Sequence, residues 1–178
     1  MSETPTELVA RAEDYMGQRR FGEAAKCFEA AAAAARYKAR IAELLKRAAG
    51  AYAEFGSTRD AGRCYLKASE FLEKNDRAEC LMAYWRALIL AIAGSLYDCG
   101  FEWKGEPDHH EDHVSYQQDV REYQEEAERV LGEVLRIEGV DRDAVIEEAR
   151  EECRRRKKDG WGASECWQIV ENVTRTAT

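Results

Sequence analysis

One spacing limits what this chain can fold into: two stretches repeat each other 37 residues apart. Tyr15, Phe21, Ala24, Phe28 and Ala31 are answered by Tyr52, Thr58, Ala61, Tyr65 and Ala68. Small and aromatic residues recurring at fixed offsets over helix-length segments describe a helical hairpin that stacks on a copy of itself. The small positions let helix backbones approach closely, and the aromatic ones fill the space between hairpins. Stacked hairpins of this kind present extended surfaces, so the pattern points to a binding protein.

Composition supports an all-helical chain. Two prolines in 178 residues, an alanine-rich apolar set and abundant Glu, Lys and Arg favour helix throughout. The length suits one compact domain spanning residues 1–178. A net charge of −8 argues against general nucleic-acid binding, which rests on neutralising phosphates. Cys27, Cys64, Cys80, Cys99, Cys153 and Cys166 show no CxxC spacing, and the N-terminus has no signal-peptide pattern. They read as reduced thiols of a cytoplasmic protein. The apolar run Leu81–Tyr97 carries Arg86 near its centre and is shorter than a membrane span of roughly 18–20 residues, so it reads as a core helix.

Apolar periodicity and breakers predict eight helices over 6–17, 21–36, 39–55, 58–73, 77–97, 114–137, 141–158 and 163–174. Gly56 closes the third. Ser57 with Asp60, and Asp76 with Glu79, have capping-box spacing, and Asp141 is placed to cap the seventh helix. Gly139 ends the sixth, and Gly160 with Gly162 separates the last two. The fifth helix, centred on Trp85, Leu88, Ile89 and Ile92, is apolar nearly all round and is expected to be wrapped on most sides. Arg86 on that helix then needs a carboxylate, with Glu122, Glu126 and Glu148 the candidates. In the sixth helix Tyr116, Val120, Tyr123, Ala127, Val130, Val134 and Ile137 form a narrow seam at alternating steps of four and three. That seam either packs within the chain or joins two copies. Residues 98–113, with Gly100, Gly105 and Pro107, read as a loop, and 114–174 as a helical cap over the array.

Leu8, Ala12, Tyr15, Phe21, Ala24, Phe28 and Ala31 resemble the tetratricopeptide pattern, and Leu45, Ala49, Tyr52, Ala61, Tyr65 and Ala68 resemble it again, with Thr58 in an aromatic's place. The longer period and the phrase "RDAGRCYLKASEFLEKNDRAECLMAYWRALIL" look like the SNAP family, the soluble adaptors of membrane fusion. The resemblance covers about residues 6–97. It implies a right-handed superhelix of antiparallel hairpins and a non-catalytic adaptor or scaffold that binds a protein. SNAP proteins are longer and end in a hydrophobic tail that stimulates their ATPase partner. The polar ending "ENVTRTAT" departs from that pattern. Arrays of this type bind along the face lined by the first helix of each hairpin. Repeat alignment places Val9, Glu13 and Met16, then Lys46, Gly50, Ala53 and Glu54, on that face. The family's clamp for a chaperone's terminal carboxylate needs Lys and Asn there, and only Lys46 fits. The third copy of these positions, Ala83, Ala87 and Leu90, is apolar and expected under the sixth helix.

Other chemistry is sparse. Cys99, His109, His110 and His113 could hold zinc, although a solvated acidic loop explains the same residues. No nucleophile elbow, phosphate loop or dinucleotide fingerprint occurs, so no catalysis and no cofactor are expected. Cys27 and Cys64 hold equivalent repeat positions, which marks them as packing residues. The run Arg154, Arg155, Arg156, Lys157 and Lys158 either complements a helix C-terminus or docks an acidic partner. A monomer is expected, with a homodimer as the alternative.

Overall fold

The computed structural model describes the backbone of residues 3–102, 110–159 and 163–176. It describes their side chains too, apart from residues 94–102, 110–117, 119, 157–159 and 163–164. These residues form α1 (Pro5–Gly17), α2 (Phe21–Ala34), α3 (Lys38–Phe55), α4 (Thr58–Ser69), α5 (Lys74–Glu102), α6 (His110–Val134), α7 (Arg142–Asp159) and α8 (Ala163–Thr176). No strand occurs among them. Two compact units divide the chain at a point inside α5, Met1–Tyr84 and Trp85–Thr178.

The first unit is a tetratricopeptide-like array in which α1 packs on α2, α2 on α3 and α3 on α4. α1 begins at a capping box. Glu7 N–H donates to Thr4 Oγ1 at 3.3 Å, the Glu7 carboxylate accepts Thr4 N–H at 2.8 Å, and Pro5 follows at the first helical position. The turn that closes α1 recurs 37 residues on. Arg20 N–H donates to Tyr15 O at 2.9 Å and Arg19 N–H to Met16 O at 3.0 Å. Ser57 N–H donates to Tyr52 O at 2.9 Å and Gly56 N–H to Ala53 O at 3.0 Å. Both turns need a left-handed residue, Gly56 at φ 84° and Arg19 at φ 59°. Glycine adopts that conformation freely, whereas an L side chain there costs roughly 1–2 kcal/mol.

Packing between hairpins repeats as well. Ala24 and Ala61 are fully buried, as close helix approach requires. Phe28 is also buried, whereas Tyr65, expected to be equally buried, is only half-buried. Over each ring lies the residue 19 positions further on. The Arg47 guanidinium sits 4.2 Å from the Phe28 centroid, and Tyr84 stacks on Tyr65 with centroids 6.0 Å apart. Tyr84 fits because Gly62 lacks a side chain: a Cβ there would lie 2.3 Å from the tyrosine hydroxyl. Thirty-seven residues earlier the position is Ala25.

Three helix-end expectations fail, each for a local reason. Ser57 is the residue before α4, but its Oγ donates to Asp60 Oδ2 at 2.7 Å and caps no backbone amide. Asp76 is not a cap, because α5 already starts at Lys74, which takes φ 40°, and Asp76 lies in the first turn. The third copy of the turn is absent. Ala93 stands where Gly56 and Arg19 turn the chain, and α5 runs on through Gly100 to Glu102. An interior glycine costs about 1 kcal/mol of helix propensity, too little to stop a helix by itself. With α6 starting at His110, the expected 98–113 loop shrinks from both sides.

In the second unit α8 packs on both α6 and α7. Trp85, Leu88, Ile89 and Ile92 are buried as expected. Leu90, expected to lie under α6, is instead 51% exposed. Of the seam, Val120, Ala127, Val130 and Val134 are buried within the chain and Tyr123 is half-buried. Tyr116 lies outside the described side chains. Arg86 pairs with Glu148, one of the three carboxylates expected, although both side chains remain substantially exposed. Asp141 caps α7 through the Ala144 N–H at 3.1 Å. α6 ends at Val134, short of the expected 137, and Gly139 takes φ 85° in the connection beyond it.

Candidate partner-binding face

α1 and α3 each bury one stripe and leave another free. Leu8 and Ala12 of α1, with Leu44, Leu45, Ala48, Ala49 and Tyr52 of α3, turn into the core. The residues one position on, at steps of four and three, fall on a different side of each helix. None of the seven aligned residues is buried. Val9, Met16, Lys46, Gly50 and Ala53 are half-buried, and Glu13 and Glu54 are exposed.

Arg47 links the two helices, and the repeat alignment did not place it on the face. Its Nη2 donates to Glu13 Oε1 at 3.0 Å while the guanidinium plane lies over Phe28. A signal for it existed, since Arg47 stands 37 residues before Tyr84, the other ring-covering residue. As an ion pair the contact is half-exposed and is worth less than about 1 kcal/mol. It bridges α1 and α3 across the face.

Val9, Met16 and Ala53 rest partly on the core beneath, and charges of both signs stand around them. Glu13 and Glu54 supply two negative charges, Lys46 and Arg47 two positive. Burial pushes the Cys80 thiol up to about 11, outweighing the opposing charge of Lys46. Gly50 opens the middle of the face, with nothing within 4 Å of a Cβ built on it. An apolar floor with balanced charge and an open centre suits contact with another protein.

Behind the face, Glu29 ties three helices together. It accepts the Tyr52 hydroxyl at 2.6 Å from α3 and a forked pair from Arg63 of α4 at 2.8 and 3.1 Å. Burial pushes its carboxyl up, but the bonds from Tyr52 and Arg63 outweigh it and hold it below the usual carboxylate range. Burial and the Glu29 carboxylate push the Tyr52 hydroxyl well up, and burial pushes the Cys64 thiol up to about 12. These groups lock structure and offer no nucleophile at neutral pH.

The candidate metal set lies beyond reach: the side chains of Cys99, His109, His110 and His113 are outside the described residues. Among the described residues no group of three or more His, Cys, Asp or Glu is placed to hold a metal. The basic run is engaged within its own helix. Arg154 pairs with Glu147 and Glu151, and Arg155 and Arg156 pair with Glu152, while the side chains of Lys157 and Lys158 are not described. Among the described residues no helix is long and apolar enough to cross a membrane.

No family model matches the chain, and no curated protein is significantly similar to it. Among solved structures it is similar to a Podosopora anserina protein described as a kinesin light chain with nearly identical TPR-like repeats. Identity is 15%, 99% of each chain is covered, and the TM-score is 0.39. A point variant of that protein matches at 15% identity over 99% of this chain and 98% of the other, with a TM-score of 0.40. At those scores the likeness adds nothing to the repeat geometry of the first unit.

Proposed function

We propose that this protein is a non-catalytic adaptor that binds a protein partner on the α1/α3 face, through Val9, Glu13, Met16, Lys46, Gly50, Ala53 and Glu54. The observation that carries the reading is Gly50. A glycine inside a helix sacrifices about 1 kcal/mol of propensity, and here no neighbouring atom among the described residues requires it. A partner lying across α3 would. The balanced charge around it favours a protein over a nucleic acid, in keeping with the chain's net charge of −8.

In this reading the protein works in the cytoplasm, and its cysteines stay reduced under resting conditions. It acts as a monomer, because the α6 seam that could have paired two copies has its described residues largely buried in their own chain. The chain also behaves as one domain. α5 is a single continuous helix belonging to both units, so calorimetry should show one unfolding transition, and two resolved transitions would separate the units.

The test compares two baits. Wild type and Gly50→Trp, which adds bulk to open space, are used for affinity capture from native lysate with quantitative mass spectrometry. A protein retained by wild type and lost by the variant, with the melting temperature not lowered, supports the face. Identical capture by both baits contradicts it.

A further inference from the structure

We infer that Cys153 of α7 and Cys166 of α8 are a redox pair that closes, on exposure to hydrogen peroxide, into a disulfide stapling these two helices. Both thiols are free and buried, at 2% and 0% exposure, on helices that pack directly against one another. Their thiols lie within hydrogen-bonding reach of one another, and each is the first influence on the other. The other described cysteines face groups that cannot form a disulfide. Cys27 meets the Arg11 guanidinium, Cys64 the Glu29 carboxylate, and Cys80 Sγ donates to Tyr65 O at 3.5 Å. Neither Cys153 nor Cys166 falls in the 37-residue repeat, so repeat packing does not account for them.

The two thiols are not equivalent. The interaction between them favours the thiolate at Cys153, holding that thiol below its ordinary range, and pushes Cys166 up. Thiolate is the nucleophile, so Cys153 attacks and Cys166 resolves. Cys153 thiolate attacks one peroxide oxygen. An S–O bond forms, the O–O bond breaks, and the departing hydroxide takes up the proton Cys153 had lost. The product is a sulfenic acid and one water. The Cys166 sulfur then attacks the Cys153 sulfur, the S–S bond forms, the S–O bond breaks, and hydroxide leaves with the Cys166 proton as a second water. Two thiols and one peroxide become one disulfide and two waters. Burial selects this oxidant: a small neutral molecule reaches enclosed sulfurs, whereas a glutathione-sized disulfide must wait for α7 and α8 to part.

Treating the purified full-length chain with hydrogen peroxide tests the pair. Two of the six thiols should be lost, peptide mapping without reductant should link Cys153 to Cys166, and dithiothreitol should restore both. Closing so short a loop should raise the melting temperature by roughly 6–12 °C. In Cys166→Ala, peroxide should leave a dimedone-reactive sulfenic acid at Cys153 with no rise in melting temperature. If that variant fails to fold, wild-type mapping alone decides. Six intact thiols, a different disulfide, or oxidation of Cys153 to sulfinic acid without a cross-link would overturn the pair.

Discussion

The first hairpin and the second follow one geometry with different chemistry. The α1–α2 turn closes on Arg19 and the α3–α4 turn on Gly56, with the same two backbone hydrogen bonds. The ring of the first is Phe28 under a cation, and that of the second is Tyr65 under a tyrosine. Tyr15 of the first is half-buried beneath the Arg20 guanidinium, while Tyr52 of the second is buried and donates to Glu29. What repeats is where backbones approach and where volume is filled. Which side chain fills it is free to vary, provided its neighbours change too. Gly62 and Tyr84 are such a matched change, replacing Ala25 and Arg47.

Substitutions at paired positions should bring the contrast out. The largest effect is expected at the rings. Phe28→Ala should cost about 3–5 kcal/mol through lost transfer energy and the cavity left behind. Tyr65→Ala, from a half-buried site, should cost clearly less, about 1.5–3 kcal/mol. Chemical denaturation measures both, and equal costs would mean that the two rings are equally enclosed. Next come the small residues. Gly62→Ala should destabilise by about 1–3 kcal/mol, because Tyr84 must move and that outweighs the gain in helix propensity. Gly50→Ala, with open space around it, should stabilise by roughly 0.5–1 kcal/mol.

The tyrosines come third. Tyr52→Phe should cost about 1.5–2 kcal/mol by removing a hydrogen bond to a charged group, while Tyr15→Phe should be close to neutral. The Glu29 carboxyl is held below its ordinary value of 4.5, so its contribution is fully present above that pH and fades as pH falls below it. The gap between wild type and Tyr52→Phe should therefore shrink as pH falls below about 4.5. A gap independent of pH would rule out the Glu29 contact. Smallest is the turn pair. Arg19→Gly should stabilise by about 1 kcal/mol and Gly56→Ala should destabilise by about as much, since only one site already holds the residue its φ favours.

Much of this was readable from residue types alone. Ala24, Ala61 and Gly56 each have one physical use at their positions, and the structure uses them so. Arg86 met Glu148 because a cation on an apolar helix has few partners within reach. The failures have two kinds of cause, the demands of the fold at some positions and competing neighbours in sequence at others. Nothing in an arginine signals a left-handed turn, yet Arg19 makes one because α2 must fold back on α1. Ser57 has the composition of a cap, but the Asp60 carboxylate competes for its hydroxyl. α5 was expected to stop near 97 on the strength of Gly100, while the absent signal at Ala93 went unread. On the candidate face, Val9, Glu13, Met16, Lys46, Gly50, Ala53 and Glu54 came from repeat alignment and from where arrays of the family resembled bind. Arg47 lay one residue from Lys46 and escaped notice because its role appears only across two helices.

The central claim is that a single 37-residue frame places residue 47 over residue 28 and residue 84 over residue 65. NMR of the labelled protein tests it most directly, through ring-current shifts and through-space contacts. The account predicts Arg47 side-chain protons shifted upfield with contacts to the Phe28 ring, and ring-to-ring contacts between Tyr65 and Tyr84. Absence of both sets in the folded protein, or contacts that put neighbours of Arg47 or Tyr84 over those rings, would contradict the frame and the face built on it.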